Sequence, residues 1–130
     1  MILELIRDSK DNNYFYGTID IPGYKRIHTI ERIEFSLPEE EYNIRLVKGE
    51  DKNKIEVLYN NEMNRAFIED YSCKNCGPGT IKIGKNLHND RLYGDIEDYV
   101  YRRLHKFLSE EEVKLRIINA YIYIFKEWKD

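Results

Sequence analysis

The feature that most constrains this chain is its punctuation. Turn-forming residues cut the first two-thirds into apolar runs of about four to eight residues, too short for ordinary helices and rich in β-branched and aromatic side chains. Ile2–Arg7 is a short apolar run, and Asp11-Asn12-Asn13 follows it as a turn, because Asn and Asp bond their own backbone and tolerate left-handed conformations. Tyr14–Ile19 reads as a strand. The turn Pro22-Gly23 comes next, in which Pro presets φ and Gly allows φ > 0. Arg26–Glu34 alternates in part and ends at Leu37-Pro38. In Tyr42–Val47, Tyr42, Ile44 and Leu46 alternate with Asn43 and Arg45, the mark of a half-buried strand. Lys48–Lys54 reads as a hairpin loop, with Ile55, Val57 and Tyr59 on the returning strand. Ala66–Ile68 and Thr80–Ile83 are further short strands, separated by a loop over Cys73–Gly79.

One segment has helical period. Over Ile96–Leu108, the residues Ile96, Val100, Leu104 and Phe107 recur at spacings of four and three. Asp95 is placed to cap it, and Glu97 and Asp98 suit the positive end of the helix dipole. Beyond it the signals conflict. Ser109–Glu112 has the form of a capping box that would start a second helix, whereas Val113, Leu115 and Ile117 alternate with Lys114 and Arg116. The alternation favours a strand. The expected fold is α+β: a mostly antiparallel β-sheet, as a partly open barrel or a sandwich, with one helix in the C-terminal half. A chain of 130 residues fits one domain, 1–130, and is long enough to bury a core without staples.

Charge narrows the function classes. The formal net charge is -3 and the pI about 5.7, which argues against nucleic acid as a partner, since a general phosphate-binding surface needs a basic excess. No stretch approaches the roughly 18 uninterrupted apolar residues of a membrane helix. The first residues, with charges at Glu4, Arg7 and Asp8, are too polar for a secretory leader. With only two cysteines, close together, the chain has no disulfide framework, and the expectation is a cytoplasmic protein.

Three local patterns carry possible chemistry. Cys73 and Cys76, with two residues between them in a Gly-bearing turn, are half of a zinc knuckle, but no second Cys or His pair has matching spacing. They also lack the adjacent helix that would depress a thiol pKa in a redox motif. Gly79 to Asn86 nearly fits a phosphate-binding loop, yet Asn86 stands where a Ser or Thr hydroxyl is needed and the intervening residues alternate as a strand. Asn86, His88 and Asp90 could set an imidazole beside a carboxylate for general-base work, without a nucleophile of known signature nearby. His28 and His105 read as structural. Tyr14, Tyr16, Tyr99, Tyr101, Tyr121 and Tyr123 could form a stacking platform, but core and cross-strand packing accounts for them better. No cofactor is implied.

A set of short motifs runs through residues 14 to 118: Gly17-Thr-Ile19, Thr29-Ile30-Glu31, Leu37-Pro38-Glu-Glu-Glu-Tyr42, Ile81-Lys-Ile83-Gly84 and Tyr93-Gly94-Asp95-Ile96. In order they resemble a small family of unknown function, common in bacterial and phage or prophage genomes and distantly like L,D-transpeptidases. The resemblance places Gly84 at the family's His and Asp95 at its candidate Cys nucleophile. Glycine cannot act as the base and aspartate cannot supply the thiol. The resemblance therefore implies a degenerate member whose fold was kept for binding or assembly.

The leading expectation is a non-enzymatic module that binds another protein, of phage or mobile-element origin. One alternative is a hydrolase or transferase on cell-wall or nucleotide substrates, using His88 with Asp90 or Cys76. The other is a small zinc-binding protein with Cys73 and Cys76 as ligands. Neither the partner nor the oligomeric state is written in the sequence.

Overall fold

In the computed structural model, residues 1–23, 26–46, 55–58, 66–72, 79–89, 91–94 and 98–121 are described. Ten strands and one α-helix account for most of them: β1 (Ile2–Lys10), β2 (Tyr14–Asp20), β3 (Arg26–Arg32), β4 (Glu41–Leu46), β5 (Ile55–Leu58), β6 (Ala66–Asp70), β7 (Ile81–Gly84), β8 (Asn86–His88), β9 (Arg91–Tyr93), α1 (Asp98–Glu110) and β10 (Lys114–Ile118). A 3₁₀ turn, Ile33–Phe35, ends β3. The α+β, mostly-β class is as expected.

Eight strands form a barrel in the order β1-β10-β4-β5-β6-β7-β3-β2. Neighbours are antiparallel except β1 with β10 and β6 with β7, which are parallel. The barrel is closed, which corrects the expectation of a partly open barrel or a sandwich. Closure comes from β10, which pairs with β1 from Ile2↔Lys114 to Ile6↔Ile118 and with β4 on its other side. That parallel partner arrives from the far end of the chain, so no local turn announces it.

The inward phase of each strand fills the barrel: Leu3 and Leu5 on β1, Ile19 on β2, Ile27 on β3, Ile55 and Val57 on β5, Ile81 and Ile83 on β7, and Leu115 and Ile117 on β10 are all buried. An eight-stranded barrel is just wide enough for its own side chains to fill. Helix α1 adds Val100 and Leu104 to the same apolar cluster, with Phe107 and Leu108 packed against it. It sits near the end of the barrel marked by the β2–β3 turn, where Arg103 lies against Gly23. Ser109 does not start a second helix. Its hydroxyl donates to the Lys106 carbonyl within the last turn of α1, and the chain then enters β10. The apolar phase of Val113, Leu115 and Ile117 outweighs the local capping signal.

Strand β1 gains an extra residue against β2. Arg7 pairs with Gly17 and Ser9 with Tyr16, leaving Asp8 as a bulge. Gly17 is required here, because a Cβ on it would collide with the backbone carbonyl of Ile6 and stand 3.0 Å from Thr29 Oγ1. The bulge and the missing Cβ together let β1 and β2 curl tightly.

Candidate functional site

The residues singled out from the sequence do not converge. Cys73, Cys76, Asp90 and Asp95 lie outside the described residues, as does the start of the helix that Asp95 would cap. His88 lies on a strand rather than in a loop. It ends β8 and pairs with Arg91 across a two-stranded antiparallel sheet with β9, both side chains exposed. Asn89, at φ 49°, lies in the left-handed region between them. Segment 81–84 is a strand, as its alternation predicted, and β8 rather than a helix follows it, so no N–H cradle for phosphate forms there. His28 lies on β3 as expected. His105 is half-buried on α1, with its Nε2 buried and unbonded. Among the described residues no three His, Cys, Asp or Glu side chains gather as metal ligands.

Gly84 is buried. It faces outward from β7, in register with His28 on β3. The β8–β9 hairpin folds back over it, and a Cβ built on Gly84 would stand 3.1 Å from Leu92 Cβ. Gly94, at φ 82°, and the bond from the Lys85 N–H to the Gly94 carbonyl close the base of that hairpin. The hairpin occupies the space into which a larger side chain at position 84 would project.

The registers define one outer wall across β2, β3 and β7. Its rows are Tyr14 beside Arg32, then Tyr16, Ile30 and Lys82, then Thr18, His28 and Gly84. The hairpin bounds it at one end and the Ile33–Phe35 turn at the other. Tyr14 and Tyr16 have ring centroids 6.5 Å apart, and the Arg32 guanidinium lies 5.5 Å from the Phe35 ring. Tyr14 and Phe35 are exposed despite their large apolar side chains. The Tyr16 hydroxyl donates to Asp11 Oδ2 at 2.5 Å, while Oδ1 of Asp11 accepts from the N–H groups of Asn13 and Tyr14, both at 2.8 Å. The hydroxyl first, then those N–H groups, hold the Asp11 carboxyl below its ordinary range.

Inside the barrel, at the end away from α1, sits a polar cluster that sequence reasoning missed. Arg7 and Glu31 are 2% and 3% exposed, so they are as deeply buried as the apolar core. Arg7 donates through Nε and Nη2 to both Glu31 oxygens, through Nη2 to the Leu37 carbonyl at 2.9 Å, and through Nη1 to Asn119 Oδ1 at 3.1 Å. Its guanidinium lies 4.4 Å from the Phe15 ring, Phe15 packs 5.7 Å from Tyr121, and Lys10 Nζ lies 5.2 Å from the Tyr121 ring. Burial raises the Tyr121 hydroxyl pKa, and the Glu39 charge adds to that while Arg7 opposes it. This stack ties the segment after β10 to the barrel end. With four donated hydrogen bonds, Arg7 is committed to the fold.

Compared with protein-family models, with curated proteins and with solved structures, the chain matches none. No helix among the described residues is long and apolar enough to cross a membrane.

Proposed function

We propose that the chain is a non-enzymatic module for protein interaction or assembly. In this reading it is a cytoplasmic, phage- or mobile-element-encoded relative of the transpeptidase-like family it resembles, retained for its surface. The observation that carries the reading is Gly84. Where the family would hold a base, this chain has a glycine roofed by Leu92, and the space an imidazole needs is taken by the hairpin. His88, the other candidate base, stands exposed at the hairpin tip. A general base works by hydrogen-bond reach to the proton it removes, in a site that excludes water. An imidazole on an exposed strand end lacks that setting. The outer wall offers aromatic and arginine side chains of the kind that anchor protein interfaces.

The test is turnover. The purified chain is incubated with peptidoglycan fragments and, separately, with nucleoside phosphates, and products are followed by mass spectrometry. The expected result is no bond made or broken above the protein-free control. Turnover lost in His88→Ala would overturn the reading in favour of the hydrolase or transferase alternative.

A further inference from the structure

We draw no further inference here: the strongest candidate, the side-chain cluster of Arg7, Glu31 and Asn119 at the end of the barrel away from α1, is satisfied by its own hydrogen bonds, and nothing in the structure shows a ligand or partner that would displace Asn119 or Tyr121 from it.

Discussion

Arg7 and Glu31 face each other across the barrel interior and meet at two points, Nη2 to Oε1 at 2.8 Å and Nε to Oε2 at 3.0 Å. Neither strand pairs directly with the other, since β2 lies between β1 and β3. The ion pair thus spans three strands on the inside, at the level where Phe15 and Tyr121 cover the barrel end. Removing one partner strands a buried charge, which costs about 3–5 kcal/mol, whereas replacing both with apolar residues avoids that penalty. Arg7→Leu and Glu31→Leu should each lower stability by an amount in that range, and the double variant should recover much of the loss. Urea denaturation of the four proteins measures this. Single variants that cost under about 1 kcal/mol would place the pair in contact with solvent.

Gly17→Ala should destabilise the barrel by about 1–3 kcal/mol, because the added methyl meets a backbone carbonyl that cannot rotate away. The loss should be read as a lower melting temperature with the far-ultraviolet spectrum unchanged. An unaltered melting temperature would mean that β1 and β2 are further apart than the register at Arg7 and Gly17 places them.

Asp11 gives a pH signature. Its folded pKa lies below the ordinary 3.8, through the Tyr16 hydroxyl first and then the Asn13 and Tyr14 N–H groups. A lowered carboxylate pKa contributes stability that is fully present above the unfolded value. That contribution is lost as pH falls through the folded value. Wild type should therefore lose stability more steeply than Asp11→Asn as pH drops below about 4. Tyr16→Phe should flatten the wild-type slope in part. Parallel pH profiles for all three would show that the turn is not held by this carboxylate.

Gly84 and Leu92 should behave as a coupled pair. Gly84→His should lower the melting temperature by forcing the hairpin off β7, and Leu92→Ala in the same chain should restore part of the loss. Residues in contact show such non-additivity, of about 0.5–3 kcal/mol. Additive effects in the four-member cycle would mean that the hairpin is already free to move.

Much of the strand content is legible in the sequence because inward residues alternate. Leu3 and Leu5, Ile27, and Leu115 and Ile117 mark β1, β3 and β10 by their spacing, and all are buried. The ion pair follows the same rule, though sequence reasoning passed over it. Position 7 continues the inward phase of Leu3 and Leu5, and position 31 continues that of Ile27 and Thr29, so two opposite charges stand in apolar phase. Closure is not legible, since the parallel pairing of β1 with β10 joins residues more than a hundred apart. The β8–β9 hairpin escapes a reading by periodicity because each strand has only three residues, although Asn89-Asp90 between Leu87 and Leu92 is a tight-turn signal. The wall needs the strand order, because its rows draw on β2, β3 and β7, and β7 is far from the others in sequence.

Turnover tests the non-enzymatic reading most directly. The purified chain, its His88→Ala variant and a protein-free control are incubated with peptidoglycan fragments and, separately, with nucleoside phosphates, and products are followed by mass spectrometry. The three samples are expected to be indistinguishable; product formed by the wild-type chain and lost in His88→Ala would contradict a non-enzymatic module.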